Sequence, residues 1–306
     1  MKNKLNIILA CLWLLIALFF SWILFSKLSD GNNSLFNGRL LFSSKVADRI
    51  FGDDGIVITN RDLSDGDITT LYKDYSFDAS QIESFTIDLV SASVHLQPSE
   101  YSDITVKLYG NWNSNIEPRV SVERQKLSIK SPNVTFLNKV NLGSRKVVIS
   151  IPESALSRFY DADISTVSGS IHVSDVSFGE LTTESTSGSV HFDGVAEILS
   201  ANTVSGSIHT SGTCSNCKCE TVSGSIHVET DKPLTGRNNF DSVSGSVHIT
   251  IPEESGFEFE WETVSGSVKN AFYSGKCGKS GSQIIGDGKT EIKAETVSGS
   301  IHLNKN

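Results

Sequence analysis

Thr166-Val167-Ser168-Gly169-Ser170-Ile171-His172 decides the fold. The unit returns at Thr203–His209 and Thr221–His227, recurs at Ser242–His248, Thr263–Lys269 and Thr296–His302, and has a looser copy at Ser185–His191. Val90-Ser91-Ala92-Ser93-Val94-His95 is a degenerate earlier copy. The central glycines (Gly169, Gly188, Gly206, Gly224, Gly245, Gly266, Gly299) are spaced by 19, 18, 18, 21, 21 and 33 residues. About 18–21 residues is too short for a helix-turn-helix repeat or a propeller blade and suits one coil of a β-solenoid. Strand alternation puts Val167, Ile171 and Val173 on one face, with Ser168, Ser170 and His172 on the other. The glycine between two serines marks a bend or a close backbone approach. One coil cannot bury its apolar face alone, but stacked coils pile Val on Val and Ile on Ile, each buried side chain contributing ~1.5–3 kcal/mol. The 33-residue step means either a coil that lost its motif or an excursion at residues 274–289.

Upstream of the repeat the pattern is also β. Ser84–Leu89 alternates, and Ile104–Leu108, Val120–Val122, Leu127–Ile129 and Val147–Ile151 follow with turn residues between them. Residues 80–159 therefore read as the N-terminal β region of the solenoid domain and 160–306 as the repeat solenoid. Residues 29–79, rich in Gly, Asp, Asn and Ser, read as a stalk with a short helix near Ser44–Phe51. Residues 1–28 read as a cytoplasmic tip and membrane anchor. Leu5–Phe25 carries no charge and is long enough to cross ~30 Å of hydrocarbon as a helix. Lys2 and Lys4 precede it, which places the N-terminus in the cytoplasm and the rest of the chain outside. The apolar run is longer than a signal peptide's and no small-x-small site follows it, so the anchor reads as uncleaved. Of 26 basic residues, 23 remain once Lys2, Lys4 and Lys27 are set aside; against 35 acidic residues this gives the outer part a charge of −12. That balance excludes a nucleic-acid binder relying on general basicity.

The run 85–108, the strand Val147-Val148-Ile149-Ser150-Ile151-Pro152 and the Ser-Gly-Ser-Ile/Val repeats together resemble the bacterial β-strand-repeat family of unknown function that carries an adhesin label. The resemblance covers roughly residues 78–306. It implies a single-stranded, β-helix-like solenoid at the cell envelope, often behind one membrane helix, with no established catalytic residues. This sequence departs from the family pattern in its near-invariant His after Ser-Gly-Ser-Ile/Val.

All seven histidines lie in the motif. In stacked coils His95, His172, His191, His209, His227, His248 and His302 form a ladder on an outer face, with Lys269 standing in for one of them. His172, His191, His209, His227, His248 and His302 are candidate metal ligands. The competing reading is a solvated row copied along with the repeat, since zinc sites need a defined tetrahedral set and second-shell partners. If protonated, stacked imidazoles would repel, which predicts lowered pKa values. Cys214, Cys217 and Cys219 are close enough for a disulfide or a metal, and their offsets from Gly206 equally predict reduced thiols in the core. Gly275–Ser280 resembles the end of a phosphate loop but lacks its first glycine and a following helix. Asp62–Asp67 lacks calcium-loop spacing. Neighbouring Ser and His on one strand lie too far apart for a nucleophile–base pair, and no Gly-x-Ser-x-Gly elbow occurs.

No catalytic residue, cofactor or resident metal is therefore assigned. The function expected is a membrane-anchored extracytoplasmic scaffold that binds an envelope polymer or a protein and is not an enzyme. The alternative is a carbohydrate-active β-helix enzyme, which requires one singular cluster of acids or bases.

Overall fold

The seven-residue unit folds as a corner with an arm on either side, and each position has a separate job. Its first residue points inward and donates a hydroxyl hydrogen bond to a carbonyl of the coil before it. Thr166 bonds Ala92, Ser185 bonds Gly169, Thr203 bonds Gly188, Thr221 bonds Gly206 and Ser242 bonds Gly224, at 2.9–3.2 Å. The serine after the glycine accepts the backbone N–H of its counterpart one coil on. Ser170 accepts from Ser189, Ser189 from Ser207, Ser207 from Ser225 and Ser225 from Ser246, each at 3.3 Å. Backbone groups that a bend would orphan are thereby paired. Ile171, Val190, Ile208, Ile226, Val247 and Ile301 follow, each 0% exposed.

The computed structural model describes residues 69–132, 144–156 and 159–306. The expected anchor Leu5–Phe25, most of the stalk and the helix near residue 44 lie outside the described residues. Among the described residues no helix is long and apolar enough to cross a membrane. In chain order the strands are β1 (Leu71–Phe77), β2 (Ser84–Leu89), β3 (Ser93–Ser99), β4 (Ile104–Gly110), β5 (Arg119–Glu123), β6 (Lys126–Lys130) and β7 (Arg145–Pro152). Then come β8 (Phe159–Ser168), β9 (Ile171–Ser187), β10 (Val190–Ser205), β11 (Ile208–Thr210), β12 (Thr213–Ser223), β13 (Ile226–Glu229) and β14 (Arg237–Ser244). The last are β15 (Val247–Ile251), β16 (Phe257–Thr263), β17 (Val268–Asn270), β18 (Ser280–Ile285), β19 (Thr290–Thr296) and β20 (Ile301–Lys305).

The arms before the corners stack as one parallel ladder, β6-β2-β8-β9-β10-β12-β14-β19-β16. The arms after the corners stack as a second, β7-β3-β9-β10-β11-β13-β15-β20-β17. The chain is thus an all-β solenoid, but its coils do not stack in chain order. The first, β2–β3, lies between β6–β7 and β8–β9, and the last, β19–β20, lies between β14–β15 and β16–β17. Antiparallel strands close the stack: β5 on β6 and β1-β4-β7 at one end, β18 on β16 at the other. The 33-residue step is an excursion, because residues 274–289 carry β18. Phe85, Phe192, Phe240, Phe257 and Phe259 fill the core between the arms.

Two expectations need correcting. Alternation does not run through the corner, so Val167 does not share the face of Ile171. Val167 is buried but lies outside the core cluster. Its counterparts Val204, Val222, Val243 and Val297 are half-exposed, and Val264 is 65% exposed. The Ser-Gly-Ser bend resets the phase, and the preceding Thr takes the inward position. The folded β region also starts ahead of residue 80, because β1 pairs with β4 from Leu71 onward.

Candidate functional site

Parallel in-register pairing brings all seven histidines into one file. His95, His172, His191, His209, His227, His248 and His302 lie on successive strands with ring centroids 4.5–4.9 Å apart and ring planes within 17° of parallel. The file continues to Lys269 beyond His302 and to Val148 and then Lys107 beyond His95. All seven rings are half-buried. Burial depresses each pKa below the ordinary imidazole value. Neighbouring positive charge acts in the same direction: His172 and Lys146 help bring His95 to about 4, and Lys269 acts on His302. The repulsion expected from the sequence is present at several members of the row, but burial is the larger cause. In-plane lone pairs of parallel stacked rings run side by side and do not converge as a tetrahedral metal requires. Among the described residues no group of three or more His, Cys, Asp or Glu is placed to hold a metal ion.

The row has a consequence for stability. A base whose folded pKa is depressed binds fewer protons when folded than when unfolded. Its stabilising contribution is present above the unfolded value of ~6.5 and is lost as pH falls below it. For His95 the loss continues down to about pH 4. Asp241, raised to about 7, acts in the opposite sense. In an Asp241→Asn variant, which removes that opposing group, thermal melts should shift down between about pH 7.5 and about pH 5, and an unchanged or higher melting temperature in acid would refute the reading.

Cys214, Cys217 and Cys219 are buried thiols in the core. Cys217 Sγ and Cys219 Sγ are 3.6 Å apart, too far for a bond and close enough for a weak hydrogen bond. The Cys214 thiol is held above its ordinary pKa by its hydrogen bond to Cys217 and by burial. Cys277 lies apart from them, partly exposed.

A second feature was not recognised in the sequence, although it repeats there. The residue four before each motif glycine faces outward on the first arm: Ser165, Glu184, Asn202, Glu220, Asp241, Glu295 and Glu262 on successive strands. Lys218 pairs with Glu220 at 2.7 Å and Lys293 with Glu295 at 2.8 Å. Asp241, between these two glutamates, is 8% exposed, and its buried Oδ1 has no hydrogen-bond partner. Burial first, then Glu295 and Glu220, raise its pKa to about 7. Beside this column lies a shallow groove of about 430 Å³ lined by Ile198, Asn216, Lys218, Arg237, Glu258 and Lys293.

A capped parallel β-solenoid whose repeated residues serve the stacking of coils is a class of protein in its own right. Within it, the chain belongs to the Toastrack DUF4097 family, whose model matches residues 82–304. Similar solved structures include a protein of Clostridium sporogenes assigned to cell adhesion. It is 12% identical, the match covers 78% of this chain and 100% of that one, and the TM-score is 0.39. A Parabacteroides distasonis protein assigned to lipid binding is 16% identical over 78% of this chain and 98% of its own, with TM-score 0.39. A Bacteroides fragilis protein assigned as an adhesin is 10% identical over 77% and 97%, with TM-score 0.35. No curated protein matches the chain.

Proposed function

We propose that the chain is an adhesin-like binding or scaffold protein of the cell envelope, without catalytic chemistry of its own. Leu5–Phe25 would anchor it, with the N-terminus in the cytoplasm and residues 29–306 outside. The observation that carries this reading is the outward face of the second arm. It presents the same groups coil after coil, with its serine hydroxyls bonded to the next coil and its imidazoles stacked on one another. A surface of that kind suits a repetitive partner better than a single reacting bond. Asp241 gives the carbohydrate-active alternative its one foothold, as a carboxyl with a raised pKa between two others. Its unpartnered oxygen is shut away from solvent and cannot reach a glycosidic bond.

Two measurements test the reading. Protease added to intact protoplasts should remove residues 29–306, and full protection would overturn the topology. The purified full-length chain should sediment with envelope polymer fractions without releasing reducing ends. Release that Asp241→Asn abolishes would establish the enzyme instead.

A further inference from the structure

The histidine file is part of a longer basic column. Ten successive strands contribute one outward residue each: Lys107, Val148, His95, His172, His191, His209, His227, His248, His302 and Lys269. Nine of the ten are basic and none is acidic, in a chain whose net charge is −9. At one strand spacing per step the column runs about 40 Å along the stack. Beside it, two residues earlier in the chain, runs a second column: Lys146 and Ser93 on their strands, then Ser170, Ser189, Ser207, Ser225, Ser246, Ser300 and Ser267 at the corners just before theirs. From Ser93 to Ser300, each of these serine oxygens accepts an N–H from its neighbour. Within this column, among the described residues, the Ser267–Ser300 pair shares a hydroxyl proton. The other serines of the column donate theirs to no protein acceptor among the described residues, which leaves those O–H groups for a ligand.

We propose that this double column is a binding track for a linear acidic polysaccharide with one carboxylate per sugar, lying along the solenoid axis in mildly acidic surroundings. The proposal rests on the reading of the chain as an envelope binding protein and names the ligand class.

Three physical matches support it. A pyranose ring spans about one coil step, so a polymer lying along the axis turns a carboxylate toward the row once per helical repeat, a whole number of imidazole steps apart. The serine hydroxyls face the ligand's ring and hydroxyl oxygens. Above the carboxylate range near ~4 the polymer stays ionised, and its negative charge beside the row raises the depressed imidazole values again, so that uptake of protons accompanies binding in acid. Bound carboxylates then offset the mutual repulsion of the stacked rings, and binding draws protons onto the row. The charged groups facing the row are Lys107 and Lys146 at one end and Lys269 at the other. Asp74 lies beyond Lys107. Asp193 and Glu229 stand two residues past their histidines, both exposed and outside the column.

The test uses the full-length chain in nonionic detergent and fluorescent oligogalacturonate, read by anisotropy. Binding should be at least roughly tenfold tighter at about pH 5 than at about pH 7.5, with proton uptake, and should weaken with salt. A neutral oligomaltose of equal length should not bind. His209→Asn with His227→Asn should weaken acid binding at least fivefold. Lys269→Glu, at the exposed end, should weaken it without touching the core. Circular dichroism at each pH establishes that every variant is folded. Absence of acid-dependent binding, or binding undiminished in both folded variants, would overturn the track. If the wild-type chain still sediments with envelope polymers in that case, the track alone has failed and the binding reading stands.

Discussion

Ile208→Asp is expected to abolish the cooperative melt, while His209→Asn, one residue along, should melt within a few degrees of the parent. Ile208 is 0% exposed and stacks between Val190 and Ile226 in the second ladder. A carboxylate there has neither water nor a partner, and an unpaired buried charge costs several kcal/mol. The lost aliphatic burial adds ~1.5–3 kcal/mol. Against a total stability of ~5–15 kcal/mol, the sum removes most or all of the margin. His209 points the other way and is half-exposed. Its replacement removes two ring contacts, at 4.9 and 4.8 Å, worth ~0.5–1.5 kcal/mol each by the measure of aromatic pairs, and the stacked rings' mutual repulsion on protonation offsets part of that. Differential scanning calorimetry of the two variants settles the matter. Equal melting temperatures would mean that the inward and outward assignments of the second arm are wrong.

The repeat made much of this legible. A 3-residue step from glycine to histidine, copied with a period near one coil, fixes both the ladder and its outward direction once strands stack in register. Val167 was misplaced for a definite reason. Alternation is a property of continuous strand, and Ser168-Gly169-Ser170 is a corner where the count restarts. Thr166 shows what the simpler reading missed: its hydroxyl is needed inside, to pair with a carbonyl exposed by the bend of the preceding coil. The column of Ser165, Glu184, Asn202, Glu220, Asp241, Glu262 and Glu295 was equally periodic in the sequence. It escaped notice because its residue type varies while its position does not. The insertion of β19–β20 between β14–β15 and β16–β17 left no local mark at all. Each coil carries the same inward Ile or Val, so any coil can stack on any other. Which pair adjoins is decided by the antiparallel β18, which occupies the outer edge of β16 and leaves its inner edge to β19.

Gly224→Ala is expected to cost at least about 3 kcal/mol, although it adds a single methyl group to a half-exposed position. The glycines of successive corners lie one above another so closely that a Cβ on Gly224 would strike the carbonyl of Gly206. The obstacle is backbone, and it cannot swing aside as a side chain would. The Gly206 carbonyl already accepts the Thr221 hydroxyl at 3.0 Å, and the adjoining Ser207 hydroxyl accepts the Ser225 N–H at 3.3 Å. Relief requires the two coils to part. That strains the packing by ~1–3 kcal/mol or more and weakens both hydrogen bonds, each worth ~0.5–1.5 kcal/mol. Gly278 supplies the control. Its nearest potential contact is the Ser280 carbonyl oxygen at 3.4 Å, an ordinary van der Waals distance, and its φ is not left-handed. Gly278→Ala should therefore be neutral or stabilise by up to ~1 kcal/mol, through the lower entropy of the unfolded chain. Urea unfolding of the two variants measures the difference directly. A loss below about 1 kcal/mol for Gly224→Ala would show that the corners have room to spare. The glycine would then reflect the ease of making the bend, and the close stacking of backbone on backbone would not be what holds the coils in register.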